Sequence, residues 1–324
     1  MNKKNGLIFG YVLDGKGGGT EVDWDGVKPW TPEKGTLWVH LDYTAEEVQQ
    51  WLEAESSLSE ISRDLLTEKD TRPRFVSSKE GLFLILRVVN CNPGADPEDM
   101  VALRMCFNEN RIITMRQRRV MALDDIHRAI ESGNGPGGPS DFLATVNERI
   151  GDRMGDVVTQ ADDRMDELED TVLTAESHAL RPMLADLRRR CISLRRYIAP
   201  QRDVLSRLVS ERIAWISDKD KLRLREVAER TARFVEDIDS ARDRAAITQE
   251  ELNNRLSEQM NKAMYLLSIV AAIFLPLGLI SGLLGINVGG IPGAEYHLAF
   301  YSVALFMLLI ALVLVLLFKR LKWL

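Results

Sequence analysis

The sequence predicts a mixed α+β domain, followed by a long stalk helix and two C-terminal transmembrane helices. Strand-like patterns precede residue 117, and a stretch almost free of glycine and proline follows residue 155. The C-terminal end of the chain holds two uncharged apolar runs, from Ala263 to Ala294 and from Tyr296 to Phe318. Each run exceeds the roughly 20 residues that a helix needs to cross a bilayer.

Strand patterns and one helix fill the first third of the chain. The apolar run from Leu7 to Leu13 is followed by no small-residue cleavage site, so it predicts a strand rather than a signal peptide. A threonine N-cap and helical spacing predict a helix from Thr44 to Glu55. Further strands are predicted at Thr36–Leu41, Gly81–Val89, Val101–Phe107 and Arg111–Met115.

Loop signals divide the chain into three parts. Turn residues dominate Asn90 to Asp99, and the segment Gly133 to Pro139 is almost entirely glycine and proline. We expect an α/β domain over residues 1–139, a helical region with the stalk over 140–262, and a membrane hairpin over 263–324. The spans are expected near 264–284 and 298–318.

A capping box predicts where the stalk helix begins. Ser217 stands three residues before Asp220, and no proline interrupts the sequence from there until Pro276. A helix that continues from this point to Leu284 would be ~100 Å long. Such a helix would couple the cytoplasmic domain mechanically to the membrane.

The cysteines and the charge balance exclude several classes of protein. With 42 basic and 48 acidic residues interspersed, the net charge of −6 does not indicate a nucleic-acid surface. Cys91, Cys106 and Cys191 form no CxxC pair, which predicts buried free thiols in a reducing compartment.

The histidines and the known catalytic motifs give no sign of an enzyme or of a cofactor. The sequence has no GxGxxG, Walker A, GxSxG or HExxH segment. His40, His127, His178 and His297 are widely separated along the chain. We therefore predict that the protein is not an enzyme and holds no cofactor.

Basic residues predict the orientation in the membrane. Lys262 precedes the first span, and Lys319, Arg320 and Lys322 follow the second, whereas the connecting loop carries only Glu295 and His297. The positive-inside rule then places both termini and the whole N-terminal part in the cytoplasm.

A stripe of polar and small residues follows one face of the first span. Two interpretations stay open: close helix–helix packing through small side chains, or the wall of a water-lined pore. Because two helices cannot enclose a pore, the second interpretation requires several copies around an axis. The stripe consists of Asn253, Ser257, Asn261, Met264, Ser268, Ala271, Leu275, Gly278, Gly282 and Gly285.

The glycine-rich turn after the first span offers a candidate ion filter. Several copies of Asn287 around an axis would form a ring of oxygen acceptors for a hydrated cation, although a Gly/Asn pair also ends many helices as a C-cap. Glu295, repeated around the axis, would raise the cation concentration at the pore mouth. The alternative for Glu295 is a solvated loop acid.

These residues resemble the CorA superfamily of divalent-cation transporters. The resemblance rests on Asn261–Met264, on Ile273–Leu277, on the Gly-x-Asn turn and on the second C-terminal span. The Mg²⁺ members carry methionine where this chain has Ile286. The turn from Gly285 to Gly293 and the segment from Asn92 to Met100 are similar to the ZntB zinc-transporter branch.

The resemblance implies a funnel-shaped homopentamer in the bacterial inner membrane, with a central pore lined by the first span. Gly285, Ile286 and Asn287 would form its selectivity filter. The implied function is Zn²⁺ transport, as proton-coupled uptake. Alternatives are zinc efflux, a CorA-like channel for Mg²⁺, Co²⁺ or Ni²⁺, and, remotely, a two-span sensor or scaffold. The positions that face or constrict the pore in the family are Met264, Leu267, Ala271 and Leu275.

Dense acids on the predicted helices have two interpretations. Asp162, Asp163, Asp166, Glu169 and Asp170 are interleaved with little apolar surface, which favours an exposed, solvated helix face. Cytoplasmic cation sites among them are the alternative. Glu236, Asp237 and Asp239 on the stalk present the same choice.

Overall fold

The computed structural model describes residues 5–54, 56–69, 71–174, 179–285, 293 and 296–320. The chain divides into two compact units, Met1–Gln249 and Glu250–Leu324. The first unit contains a seven-stranded sheet and most of the helices, and the second is built from two apolar helical segments.

The sheet of the first unit is almost entirely antiparallel. Its strand order is β2-β1-β3-β7-β6-β5-β4, and only the central pair of β3 and β7 is parallel. The strands are β1 (Leu7–Leu13), β2 (Gly19–Glu21), β3 (Thr36–Asp42), β4 (Arg74–Ser78), β5 (Gly81–Val88), β6 (Val101–Phe107) and β7 (Arg111–Arg116).

Helices flank the sheet and extend beyond it. Three of them are much longer than the others and follow each other in the chain: α5 (Pro139–Thr174), α6 (Leu180–Ser210) and α7 (Asp218–Gly285). The remaining α-helices are α1 (Trp24–Val27), α2 (Glu46–Ala54), α3 (Glu60–Thr67), α4 (Met121–Glu131) and α8 (Ala299–Arg320).

Each face of the sheet is buried because strand side chains alternate between the two sides. On one face, Val39, Leu41 and Met115 pack in a core with Val48 and Trp51 of α2. On the other face, the ring of Trp38 meets Phe142 of α5 edge-on at 4.8 Å. The sheet therefore holds the start of α5 firmly in place.

Ion pairs fix the direction of α7 relative to α5 within the first unit. Arg223 binds Glu148 and Arg230 binds Asp152, at sequence separations of 75 and 78 residues. Further along, Arg244 binds Asp166, again 78 residues away. A nearly constant separation means that α5 and this part of α7 run parallel.

The predicted capping box is confirmed in position, and its hydrogen bonds involve a third residue. The Ser217 hydroxyl accepts from the Asp220 backbone N–H at 3.1 Å. The Ser217 backbone N–H donates to Ser140 Oγ at 3.0 Å instead of to Asp220. The Asp220 carboxylate accepts from both hydroxyls, so the start of α7 is tied to the start of α5.

The predicted strands at Leu7–Leu13 and Val101–Phe107 have the observed bounds, and the other three differ by a single residue at the C-terminal end. The predicted helix at Thr44–Glu55 is shorter, because Thr44 donates to the Asp42 carboxylate instead of capping α2. Strands β2 and β4 are short and mostly exposed, so they lack the alternating pattern by which the other strands were predicted.

Candidate functional site

The second unit supplies two helical segments that are long and apolar enough to cross a membrane by length and composition. One is the C-terminal part of α7, and the other is α8. Lys319 and Arg320 form the last turn of α8, while Lys262 lies before the apolar part of α7 and pairs with Glu258 at 2.8 Å. The basic residues thus border the apolar segments, as the sequence predicts.

All ten residues of the stripe, together with Leu267, lie on α7. In the single chain, Met264 and Leu275 expose 60% and 77% of their surface. Phe274 and Leu279, on other sides of the same helix, expose 67% and 65%. Exposure in one chain therefore does not separate the stripe from the rest of the helix.

The glycines of the stripe show more directly what packs against this face of α7 in the described part of the chain. At Gly278, Gly282 and Gly285, apart from the neighbouring residues and nearby backbone of α7 itself, no described atom lies within 4 Å of the position that a Cβ would occupy. Small residues permit close helix packing in a membrane, yet in the described part of this chain nothing packs against these three. In the described part of the chain this face of α7 is therefore open to another copy, to water or to lipid.

The serines of the stripe are satisfied within their own helix. Ser257 Oγ donates to the Asn253 carbonyl and Ser268 Oγ donates to the Met264 carbonyl, each at 2.9 Å. Such bonds to the carbonyl four residues earlier let a hydroxyl lie in an apolar segment without an unpaired donor. The hydroxyl oxygens keep lone pairs that can accept from water.

The predicted filter is only partly within the described residues. Gly285 is the last residue of α7, whereas Ile286, Asn287 and Glu295 lie outside the described residues. His297 is exposed in the turn before α8. Across the described residues, no three His, Cys, Asp or Glu side chains come together to hold a metal ion.

The acidic run on α5 is bound by arginine. Arg244 binds Asp162 at 2.9 Å and Glu169 at 2.5 Å, and it also contacts Asp166. Hydrogen bonds to Glu169, and then to Asp166, raise the pKa of the guanidinium above its ordinary value. The sequence predicts a solvated helix face for these three acids. In the structure they instead form a salt-bridge network with one arginine side chain.

A second arginine repeats this arrangement at the start of α7. Arg223 binds Asp141 and Glu148, each at 2.6 Å, and Asp220 at 2.9 Å. Hydrogen bonds from Arg223 to Glu148 are the main reason that the pKa of this guanidinium is raised. Arg223, Asp141 and Glu148 line a polar cavity of about 500 Å³ together with Asp152 and Arg230.

Two of the histidines are neighbours in space. The ring of Phe9 stacks on His127 at 4.5 Å and lies 4.7 Å from His40. His40 is fully buried, and its Nδ1 lies 2.9 Å from Thr114 Oγ1. For this pair, wide separation along the chain therefore does not mean separation in space. His178 lies outside the described residues.

The cysteines agree with the prediction at two of three positions. Cys106 and Cys191 are buried free thiols, and burial raises their pKa to about 12 and about 11. Cys91 is exposed, so the expectation of burial is wrong there. It follows Asn90 in the turn-rich connection between β5 and β6.

Comparisons with known proteins extend over nearly the whole chain. Residues 33–320 match the family described as CorA-like Mg²⁺ transporter protein. The divalent cation transporter CmaX of Pseudomonas aeruginosa is 39% identical, over 99% of this chain and 98% of that protein. The zinc transport protein ZntB of Yersinia enterocolitica is 36% identical, over 98% and 96%. The structure of full-length CmaX covers 98% of both chains with a TM-score of 0.86 at 38% identity.

Proposed function

The chain belongs to the family of CorA-like Mg²⁺ transporter proteins, and on that premise we propose that it carries divalent cations across the bacterial inner membrane. The pathway would be a central pore lined by the stripe of α7 from each subunit of a homopentamer. The observation that carries this proposal is the open glycine face at Gly278, Gly282 and Gly285. A face without a partner in its own chain is what a helix around a shared axis requires.

The lining chemistry favours an ion that keeps most of its water. Zn²⁺ stripped of water prefers imidazole, thiolate or carboxylate ligands, and the stripe offers amides, hydroxyls, a thioether and small residues. We infer that the hydrated ion is contacted by the Asn287 ring and by the serine hydroxyl oxygens. Gly285, Ile286 and Asn287 would act together as the filter, and Glu295 would concentrate cations at the mouth.

Zn²⁺ is the transported ion that we favour. The relative from Yersinia is named for zinc, and Ile286 replaces the methionine of the Mg²⁺ members. The name of the Pseudomonas relative refers to divalent cations in general. That name supports a second candidate, a channel that also admits Mg²⁺, Co²⁺ or Ni²⁺.

We propose uptake driven by the proton gradient, with zinc efflux as the alternative. The basic residues at Lys262, Lys319 and Arg320 would place both termini in the cytoplasm. No Asp, Glu or His lies within residues 263–294 of the first apolar run. Proton coupling would therefore use groups at the outer mouth, where Glu295 and His297 are the titratable candidates, rather than a relay inside the span.

Zinc flux in proteoliposomes tests the proposal. The purified chain is reconstituted, and Zn²⁺ entry is followed with an internal dye, with and without an imposed pH gradient and with excess Mg²⁺ outside. Zinc entry that the gradient accelerates and Mg²⁺ does not inhibit would support proton-coupled zinc transport. Flux indifferent to the gradient and blocked by Mg²⁺ would establish the channel. The absence of flux for every divalent ion would refute both.

A further inference from the structure

The hairpin of α5 and α6 joins two helices of opposite charge. Helix α5 contains ten carboxylates and three arginines, a net charge of −7. Helix α6 contains eight arginines and two aspartates, a net charge of +6. Opposite charges on adjacent helices normally pair with each other. The ion pairs that form within the chain therefore show which charges are left for another partner.

Most of the α5 carboxylates are bound by α7. Arg223, Arg230 and Arg244 of α7 together bind six of them. Two exposed aspartates on another side of α5, Asp156 and Asp163, have no ion-pair partner within 4 Å in the described part of the chain. They are seven residues apart, so they lie on one side of the helix about 10.5 Å from each other.

Helix α6 has a matching set of arginines. Arg188 and Arg196 are exposed and have no ion-pair partner within 4 Å among the described residues, although Arg196 stacks over Tyr197 at 5.5 Å. Arg195 binds Asp239 of α7 and still exposes 44% of its side chain. Ile192 lies between these arginines on the same side, with 50% of its surface exposed.

The two charged faces are also matched in height. Asp163 lies about three helical turns before the end of α5, and Arg188 lies about two turns after the start of α6. Asp156 and Arg195 lie about five and about four turns from the same ends. For an antiparallel hairpin whose described ends, Thr174 and Leu180, are level, each pair differs in height by less than one helical turn.

We propose that the arginine face of α6 in one copy of this chain packs against the aspartate face of α5 in the next copy. Arg188 lies opposite Asp163, Arg195 and Arg196 lie opposite Asp156, and Ile192 fills the space between the two rows. When neighbouring copies are related by rotation about an axis parallel to these helices, residues at the same height along the axis stay at the same height in every copy. Two different complementary faces on one chain form a head-to-tail contact, which closes into a ring when the rotation between neighbouring copies divides a full turn evenly.

This interface deepens the proposed function, because it rests on the assembly of several copies around a pore. Exposed ion pairs each contribute little free energy. Their role here is to select the neighbour and its register, which is what complementary charge does at protein interfaces. The apolar segments of the second unit would supply other contacts.

Disulfide trapping between two different chains tests the contact. One tagged chain carries Asp163→Cys and an untagged chain carries Arg188→Cys, both with the exposed Cys91 replaced by serine. The two full-length chains are expressed together and oxidised in the membrane. A disulfide-linked dimer of tagged and untagged chains is expected, and it can form only between copies. Glu47→Cys, an exposed position on α2, replaces Asp163→Cys in the matched control.

Charge reversal sharpens the test. With cysteines at positions 156 and 196 as reporters, Arg188→Glu or Asp163→Arg alone should lower the trapping yield about threefold. Both reversals together should restore it. A yield no higher than that of the Glu47→Cys control, or reversals without effect, would overturn the interface.

Zinc flux measured on the same chains separates the two proposals. Flux without trapping would overturn the α5–α6 interface and leave the transport function standing. Trapping without flux of any divalent ion would support the interface and refute the transport function.

Discussion

Two regions of the molecule differ in where their side chains find partners. One region is helices α5 to α7 up to Gln249, and the other is the apolar segments that follow Glu250. In the first unit, Arg223 and Arg244 are each held by three carboxylates. In the second unit, large apolar side chains are exposed on several sides of α7 and of α8. Around the stripe glycines, no described atom outside the nearby part of α7 lies within 4 Å of the positions that Cβ atoms would occupy.

The difference shows which interactions each unit still needs. The first unit has a buried sheet core and internal ion pairs, so most of its specific contacts lie within one chain. The second unit has ion pairs only before its apolar segments, among its described residues, at Arg255–Glu251 and Lys262–Glu258. Its apolar side chains are exposed in the single chain, and we expect lipid to cover most of them and another copy or water to meet the glycine face. Substitutions in the first unit should therefore change folding stability, and substitutions on the glycine face should change transport.

Filling the glycine face should give the largest effect. Gly282→Leu would place a branched side chain on the proposed pore wall, and we expect a nearly complete loss of Zn²⁺ flux with unchanged expression and oligomer size. Ala304→Leu is the matched small-to-large control, because it is an exposed small residue on α8 rather than on the stripe of α7. Flux in proteoliposomes measures both. Equal flux in the two variants would place the pore elsewhere.

Removing an arginine from the first unit should give the next largest effect. Arg223→Met leaves Asp141, Glu148 and Asp220 facing one another without a cation. We expect a loss of about 2 kcal/mol in the free energy of unfolding, which is reduced by the partial exposure of the site. Arg233→Met, an exposed position on α7, should change it by less than about 0.5 kcal/mol. Urea unfolding of the full chain followed by circular dichroism distinguishes the two.

Buried histidine should make the first unit sensitive to acid. Burial lowers the pKa of His40 well below 6.5, and the charges of Arg116 and His127 lower it further. Below pH 6.5 the unfolded chain binds a proton that the folded chain does not, so stability falls as the pH falls. The loss reaches at most about 1.4 kcal/mol per pH unit.

His40→Asn isolates this contribution. The variant should be less stable at neutral pH, because it loses the contact with Thr114, but its unfolding free energy should fall less steeply between about pH 6.5 and 5.5. His297→Asn, in an exposed turn, serves as the control substitution. An unchanged slope in His40→Asn would show that another group binds the proton.

The fold was predictable where the local sequence has the pattern of a single kind of secondary structure. Strands such as Val101–Phe107 and the continuous helix α7 follow from alternation and from the absence of glycine and proline. The ion-pair network was not predicted, because it depends on α5 and α7 running parallel and on partners far apart in the chain. A signal was present, since one spacing recurs in both helices: it separates Asp141 from Asp162, Glu148 from Glu169, and Arg223 from Arg244.

The candidate site was predictable to a smaller extent. Spacing alone identified the stripe, since a single face of one helix is a local property. What the stripe faces depends on other copies of the chain, which no local pattern encodes. The neighbouring rings of His40, Phe9 and His127 depend on strand pairing and on the position of α4, so sequence separation could not reveal them.

The smallest expected effect concerns the mouth of the proposed pore. Glu295→Gln removes a negative charge from each subunit, which should raise the Zn²⁺ concentration needed for half-maximal flux about twofold without changing the maximal rate. The shift should shrink at high ionic strength, because salt screens exposed charges beyond about 8 Å at about 0.15 M. Glu53→Gln, an exposed position in the first unit, is the charge-matched control. Zinc dependence that matches this control at low salt would make Glu295 a solvated loop acid, and the remaining selectivity would rest on the Asn287 ring.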